Sequence, residues 1–291
     1  MPLPSFLLKR IPKQENIRKI RTLLNDNRIH TVCEEAKCPN IGECFSQRTC
    51  TFMILGNICT RNCSFCGVIN GQPSPPDPEE PKRIAEAVKK LGLNYVVITS
   101  VTRDDLLDGG ANHFAKVIRE LSVVICPPEV DAPLAHKLLV EVLIPDFQGS
   151  EESLKTILAV EPYVLNHNLE TVPRLYPKIR PQANYERSLQ ILRLTKEIRS
   201  NIYTKSGFMV GLGESDEEVI SVLKDLREVN CDIVTIGQYL PPSKSHPGAE
   251  RFVPPEAYEK WKTIGREMGF LKVEAGPFIR SSFHAGKILE A

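Results

Sequence analysis

The sequence predicts an α/β fold in which parallel strands alternate with helices, as a barrel or as an open doubly wound sheet. Short apolar segments bounded by Gly, Pro or Asn/Asp alternate with amphipathic segments along most of the 291 residues. The apolar fraction of 42% and the charged fraction of 25% are typical of globular proteins. No apolar run approaches the ~20 residues that span a bilayer, so we expect no membrane segment.

The strands and helices are expected in strict alternation after an N-terminal extension. The expected strands are residues 51–56, 95–99, 138–144, 163–167, 205–210, 232–236 and 271–274. The expected helices between them are residues 81–91, 111–121, 151–160, 185–200, 215–229 and 255–268. Ser215 and Glu218 have capping-box spacing. Parallel strands with right-handed crossovers would place ligands at the carboxyl ends of the strands.

Residues 1–50 form the N-terminal extension, and their clearest element is a helix over residues 14–25. The first ten residues are too short and too interrupted by Pro for the apolar core of a signal peptide, so we expect a cytoplasmic protein. The net charge of +1 gives no indication of nucleic-acid binding. The Pro-rich residues 72–81 are expected to be an extended connector.

Three cysteines, Cys59, Cys63 and Cys66, follow the first predicted strand in a C-x3-C-x2-C loop. Three thiolates in eight residues suit three corners of a cubane iron–sulfur cluster and leave the fourth iron open to a small molecule. A structural zinc site prefers four closed ligands. A disulfide framework suits short secreted chains and an even number of cysteines, whereas this chain has nine. The loop therefore indicates chemistry at a cluster.

A second set, Cys33, Cys38 and Cys44, lies just upstream with C-x4-C-x5-C spacing. Soft thiolate ligands select iron–sulfur clusters or zinc. A zinc site completed by a distant His is an alternative for this set alone, but a second cluster is the more economical interpretation beside the first loop. Cys50 is close enough in sequence to both sets to be a rival ligand, although a small buried residue is the simpler interpretation.

The loop Cys59-x3-Cys63-x-Phe65-Cys66 resembles the signature of radical S-adenosylmethionine (SAM) enzymes, and the upstream cysteine set resembles that of the lipoyl synthase family. A lone C-x3-C-x2-C loop would indicate only the superfamily. Four further segments resemble the lipoyl synthase family: Thr-Ser-Val-Thr-Arg-Asp-Asp-Leu-Leu-Asp-Gly-Gly-Ala (99–111), Asn-His-Asn-Leu-Glu-Thr-Val-Pro-Arg-Leu-Tyr (166–176), Thr-Lys-Ser-Gly-Phe-Met-Val-Gly-Leu-Gly-Glu (204–214) and Arg-Ser-Ser-Phe-His-Ala (280–285).

The resemblance implies a partial (β/α)6 barrel over residues 51–275, with cluster-binding extensions over residues 1–50 and 276–291. It implies two 4Fe-4S clusters and SAM as cofactors, with the radical chemistry supplied by the cofactor and the positioning by the protein. The implied reaction inserts two sulfur atoms at carbons six and eight of a protein-bound octanoyl chain. The auxiliary cluster of Cys33, Cys38 and Cys44 would be the sulfur source.

The resemblance also implies that a serine of the Arg-Ser-Ser motif is the fourth ligand of the auxiliary cluster. The candidates are Ser281 and Ser282, of which the resemblance favours Ser282. From the residues alone, a turn cap near the C-terminus would be the simpler role. The residues expected to contact SAM are Phe65, Thr99, Ser100, Gly109, Gly110, Asn168, Glu170, Arg187 and Gly211.

The implied partners are octanoylated lipoyl-carrier domains or H protein, and a low-potential electron donor such as ferredoxin or flavodoxin, without nucleic acid or membrane. Two alternative functions are a tRNA methylthiolating enzyme and an iron–sulfur electron carrier. A tRNA methylthiolating enzyme also carries two clusters but would need an RNA-binding surface, usually on an appended basic domain. An iron–sulfur electron carrier would favour complete sets of four cysteines.

Overall fold

The computed structural model describes residues 3–8, 14–46, 49–124, 138–283 and 285–287. Its strands are β1 (His30–Thr31), β2 (Thr51–Ile54), β3 (Ile58–Cys59), β4 (Ile69–Asn70), β5 (Tyr95–Ser100), β6 (Leu139–Leu143), β7 (Val164–Asn166), β8 (Tyr203–Val210), β9 (Ile233–Gln238) and β10 (Lys272–Gly276). Its helices are α1 (Gln14–Asp26), α2 (Val32–Glu35), α3 (Ile41–Ser46), α4 (Glu80–Leu91), α5 (Ala111–Ser122), α6 (Glu151–Leu158), α7 (Tyr176–Ile179), α8 (Tyr185–Ile198), α9 (Asp216–Glu228) and α10 (Pro255–Glu267).

The main sheet follows the order β1-β2-β5-β6-β7-β8-β9-β10. From β2 to β10 every neighbouring pair is parallel, and only β1 is antiparallel to its neighbour. Because consecutive strands are added in one direction without a reversal of order, the sheet has the winding of a barrel and not that of a doubly wound sheet. Six β/α units run from β2 to α10, as predicted, and β10 adds one further parallel strand.

The predicted strands and helices are all present, with ends shifted by a few residues. The capping box at the start of α9 is confirmed: the Ser215 side chain accepts from the Glu218 amide, and the Glu218 carboxylate accepts from the Ser215 amide. The N-terminal extension contains more structure than was predicted. Besides α1 it forms β1, α2 and α3, which were too short to give a periodic pattern in the sequence.

Two clusters of buried apolar side chains lie in the interior. One joins the extension to the first half of the sheet and includes Leu24, Phe45 and Phe52, and the other fills the second half around Leu223 and Trp261. The extension is therefore packed onto the barrel through apolar contacts as well as through β1. Among the described residues, no helix has the length and apolarity needed to cross a membrane.

Candidate active site

The predicted cluster loop lies at the carboxyl end of β2, between β3 and β4. Cys59 ends β3, and its sulfur accepts backbone hydrogen bonds from the amides of Arg61 (3.4 Å) and Thr102 (3.3 Å). The thiols of Cys59, Cys63 and Cys66 are free. Burial raises the pKa of the Cys66 thiol to about 12. The two amide donors fix the position of the Cys59 sulfur, so the loop offers Cys59 as a preorganised soft ligand.

A buried arginine within the loop anchors it to two neighbouring strand ends. The Arg61 side chain is 5% exposed, and its Nε lies 2.6 Å from Asp104 Oδ2 while its Nη2 lies 2.7 Å from Asp146 Oδ1. Burial alone would raise the pKa of Asp146, but the hydrogen bond and charge of Arg61 hold it well below its usual range. Arg187, predicted to contact SAM, donates to the same carboxylate at 2.7 Å. Its guanidinium therefore already has a carboxylate partner.

Two more contacts hold the far end of the loop. The Ser64 amide donates to Ile179 O at 3.0 Å, and a ring nitrogen of His246, Nε2, lies 3.0 Å from Cys66 O. The backbone at Gly67 approaches the extension closely, since a Cβ there would lie 3.3 Å from Glu35 O. The cluster loop and the upstream cysteine segment are therefore in direct contact.

The upstream cysteines lie on two short helices and the turn between them. Cys33 is in α2, Cys44 is in α3, and Cys38 lies between the helices. The Thr31 side chain caps α2 by accepting from the Glu34 amide. The pKa of Cys33 is raised to about 12, mainly by burial and to a smaller extent by the charges of Cys38 and Cys44. The fold therefore brings the three predicted ligands within electrostatic reach of one another.

Cys50 lies near the same group. Burial raises the pKa of its thiol well above the usual value, and the charges of Cys33 and Cys44 act in the same direction. It also belongs to the apolar cluster that contains Cys33 and Phe45. The structure is thus compatible with Cys50 as a small buried residue of the apolar core.

The C-terminal segment after β10 meets the upstream set. Asn40, in the turn between Cys38 and Cys44, donates through Nδ2 to Phe278 O at 2.6 Å. The charge of Arg280 interacts with Cys38. The Ser281 hydroxyl accepts from Asn168 Nδ2 at 3.4 Å. The Arg-Ser-Ser motif therefore lies between the upstream cysteines and the carboxyl end of β7.

The predicted SAM contacts on β5 and in the turn before α5 have structural roles of their own. The Thr99 hydroxyl donates to Leu143 O at 2.9 Å. Gly109 and Gly110 have φ values of 59° and 92°, which favour glycine, and a Cβ at Gly110 would overlap the Leu55 side chain. Close packing of a turn accounts for both glycines, and it is compatible with backbone groups that face a ligand.

The remaining predicted contacts follow β7 and β8 or lie in the cluster loop. The Asn168 Nδ2 group donates to Glu170 Oε1 at 2.9 Å, and the Gly211 amide donates to the buried carboxylate of Glu214 at 2.7 Å. Phe65 is partly buried against the second apolar cluster. Within the described part of the chain, buried polar atoms without a hydrogen-bond partner include Ser100 Oγ, Asn166 Oδ1, His167 Nε2, Asn168 Oδ1 and Ser206 Oγ.

These unpartnered atoms belong to residues on β5, β7 and β8 or directly after β7. Buried polar groups normally have partners, so their arrangement fits a polar ligand at this end of the barrel. No three His, Cys, Asp or Glu side chains of the described ranges are arranged around a single metal ion. The thiolates of a cubane bind separate irons and need not converge on one point.

Sequence reasoning did not single out several residues that build this site: Arg61, Asp104, Asp146, Arg180 and His246. Two features of the sequence could have indicated some of them: an arginine lies inside the cysteine loop, and aspartates follow the ends of predicted strands. The long-range pairings, however, depend on the barrel bringing residues 43 and 85 positions apart together.

Comparison with known proteins places this chain in a family. Residues 53–226 match the Radical SAM superfamily. A lipoyl synthase from Caldanaerobacter subterraneus subsp. tengcongensis is 53% identical over 97% of this chain and 95% of its own length. One from Aquifex aeolicus is 52% identical over 96% of this chain and 98% of its own. The chain belongs to the lipoyl synthase family of the radical SAM superfamily. Membership in that family does not favour the methylthiolating enzyme or the electron carrier.

Solved structures agree with the fold at much lower identity. Methylornithine synthase superposes with a TM-score of 0.53 at 17% identity, covering 89% of this chain and 81% of that chain. Coproporphyrinogen III oxidase from Escherichia coli, a radical SAM enzyme, gives a TM-score of 0.52 at 14% identity, covering 75% of this chain and 52% of that chain. The predicted barrel class is therefore confirmed for this family member.

Proposed function

We propose that this chain attaches two sulfur atoms to carbons six and eight of an octanoyl-lysine carried on a lipoyl-carrier domain or H protein. Its family is that of lipoyl synthases. The observation that carries the proposal is the meeting of two three-cysteine segments and the Arg-Ser-Ser motif at one end of a parallel barrel. A reaction that both cleaves SAM and supplies sulfur requires two such sites near each other.

The donor sets fit the two implied clusters. Each set offers three thiols that form no disulfide within a short segment, and thiolate is the ligand that iron–sulfur clusters select. Cys59, Cys63 and Cys66 would hold the cluster that leaves one iron open, while Cys33, Cys38 and Cys44 would hold the auxiliary cluster. The chemistry that the first cluster and SAM supply together is a 5′-deoxyadenosyl radical, with the electron drawn from a donor such as ferredoxin or flavodoxin.

The protein's own residues hold the reacting groups in place. The Arg61, Asp104 and Asp146 network fixes the cysteine loop, and the unpartnered atoms of Ser100 and Asn168 would receive polar groups of SAM. Ser282 is the serine that we propose as the fourth auxiliary ligand, because the Ser281 hydroxyl is already engaged by Asn168. A hard alkoxide among thiolates would be the ligand most easily exchanged.

Anaerobic reconstitution tests this function. The chain is incubated with an octanoyl-lysine peptide, SAM and reductant, and the products are analysed by mass spectrometry. We expect methionine, 5′-deoxyadenosine and a peptide that has gained two sulfur atoms. The variant with Cys33, Cys38 and Cys44 changed to Ala should still form 5′-deoxyadenosine, since the first set remains, but no sulfur-containing peptide. Sulfur insertion at the normal yield by that variant would reject the upstream set as the sulfur source.

A further inference from the structure

Glu170 occupies a constrained position between the two cysteine sets. Its φ of 65° lies in the left-handed region, which is unfavourable for a residue with a Cβ. Both of its backbone groups are bonded to β8, through Gly207 O (3.0 Å) and the Met209 amide (2.9 Å). Its carboxylate accepts from Asn168. The turn after β7 is thus held by the sheet in a conformation that presents one carboxylate at the barrel mouth.

On one side of this turn, Arg180 connects it to the first cysteine set. The Arg180 Nη1 group donates to Asn168 O and Leu169 O, both at 3.0 Å. The same guanidinium hydrogen-bonds the Cys63 side chain, and its charge interacts with both Cys63 and Glu170. Arg180 therefore contacts the backbone of the turn, while its charge faces the carboxylate and a predicted cluster ligand.

On the other side, Arg280 connects the turn to the second set. The charge of Arg280 interacts with Cys38 and with Glu170. The Arg280 segment passes so close to β9 that a Cβ at Gly237 would overlap Ile279 O and lie 3.1 Å from Arg280 Nη1. The next residue, Ser281, accepts from Asn168. The Arg-Ser-Ser motif is thus connected to the same turn by a charge and by a hydrogen bond.

We propose that Arg180 and Arg280 are positioning residues that hold Glu170 between the two cysteine sets and thereby couple the Cys59–Cys66 loop to the Arg-Ser-Ser motif. This inference rests on the proposed function, which gives a cluster to each set. Cations and carboxylate alternate along this line of side chains, so removal of one charge leaves each neighbour with one partner fewer in a poorly solvated site. Ligand binding at Asn168 and Glu170 would therefore change the forces on the serine ligand of the other cluster.

The test uses the full chain with Cys59, Cys63 and Cys66 changed to Ala, so that only the upstream set can hold a cluster. Iron release to a ferrous chelator is followed anaerobically after reduction for Glu170→Gln, Arg280→Gln and the double variant. We expect about tenfold faster release for Glu170→Gln and a larger acceleration for Arg280→Gln, which also loses its charge interaction with Cys38. The double variant should release iron no faster than Arg280→Gln alone, because both single variants remove the Arg280–Glu170 interaction. Arg280→Lys, which keeps the charge, should release iron more slowly than Arg280→Gln.

The matched control is Arg174→Gln, which breaks an exposed arginine–carboxylate pair with Glu218 and should leave the rate unchanged. Circular dichroism verifies that each variant is folded. If Glu170→Gln releases iron at the parent rate, or if the two effects multiply, the coupling is overturned while the proposed function stands. If the parent chain binds no iron, the proposed function fails, and the coupling fails with it.

The Arg180 side is tested in the full chain with Cys33, Cys38 and Cys44 changed to Ala. Loss of a cation beside Cys63 disfavours addition of an electron, so Arg180→Gln should make the reduction potential of the remaining cluster more negative. Arg180→Lys keeps a cation at this position and should therefore have a reduction potential closer to that of the parent. A potential equal to that of the parent in Arg180→Gln would overturn this half of the coupling.

Discussion

The two cysteine segments are in contact but are held by different kinds of interaction. The Cys59–Cys66 loop is fixed by buried charges to the barrel itself, through Arg61 and its two aspartates. The Cys33–Cys44 segment is bonded to the opposite end of the chain, through Asn40 and Phe278, which lie 238 positions apart. The Cys59–Cys66 loop is therefore positioned once the barrel has formed. The second site, which the Cys33–Cys44 segment forms with the C-terminal segment, is complete only when these two parts of the chain meet.

This difference suits the two proposed roles. A cluster that cleaves SAM repeatedly benefits from ligands held by the most rigid part of the fold, because catalytic groups must keep their geometry. A cluster that gives up its sulfur must open, and a site assembled from two chain ends can open without unfolding of the barrel.

The largest effect is expected from replacing Cys59, Cys63 and Cys66 together by Ala. SAM cleavage should be abolished, and bound iron should fall from about eight to about four atoms per chain, since one of two cubanes is lost. Iron analysis and quantification of 5′-deoxyadenosine check this result. An unchanged iron content would show that the loop does not hold a cluster.

The second prediction concerns the charges that fix the loop. Asp146→Asn leaves Arg61 and Arg187 without their shared carboxylate, and breaking a buried pair costs about 3–5 kcal/mol. Urea unfolding should report this loss of stability. The control Glu218→Gln breaks the pair with Arg174, whose side chain is 57% exposed, and should cost at most about 1 kcal/mol. Equal losses in the two variants would contradict the proposed importance of the buried network.

The sequence pattern could predict the parallel α/β alternation, and the family resemblance could predict the barrel, but neither could predict this network. Strands β5, β6 and β9 were visible as short apolar segments, and the spacing of Cys59, Cys63 and Cys66 identified the loop without any tertiary information. The pairing of Arg61 with Asp146 depends on two strand ends becoming neighbours, and no local pattern encodes it. Similarly, α2 and α3 are too short for a helical period to appear. Resemblance to a family supplied Ser282, which residue patterns alone would have assigned to a turn.

The third prediction is a pH dependence that arises next to the network. Burial, reinforced by the charge of Arg180, lowers the pKa of His167 to about 4. Between pH ~6.5, the ordinary histidine pKa, and pH ~4 the unfolded chain binds a proton at His167 that the folded chain does not bind. The stability associated with the neutral His167 is therefore fully present above pH ~6.5, and about 3 kcal/mol of it is lost as the pH falls to ~4. Urea unfolding of the cluster-free chain at several pH values should show this slope, and His167→Gln should reduce it. The same slope in both proteins would exclude His167 as its source.

The smallest effect is expected where the chain ends meet. Asn40→Ala removes the hydrogen bond to Phe278 O and should cost about 1 kcal/mol, the typical net value of a neutral bond. The matched control is Asn27→Ala, since Asn27 Nδ2 makes a bond of the same 2.6 Å length to Leu23 O of the helix that precedes it. Both variants should lose similar stability. Only Asn40→Ala should release the segment that carries Arg280 and Ser282, because of the two bonds compared only the one from Asn40 joins the extension to that segment. Limited proteolysis should then cut this segment faster in Asn40→Ala than in Asn27→Ala. Equal cleavage rates would mean that the extension does not hold the Arg-Ser-Ser motif, and that the second site is as firmly built into the barrel as the first.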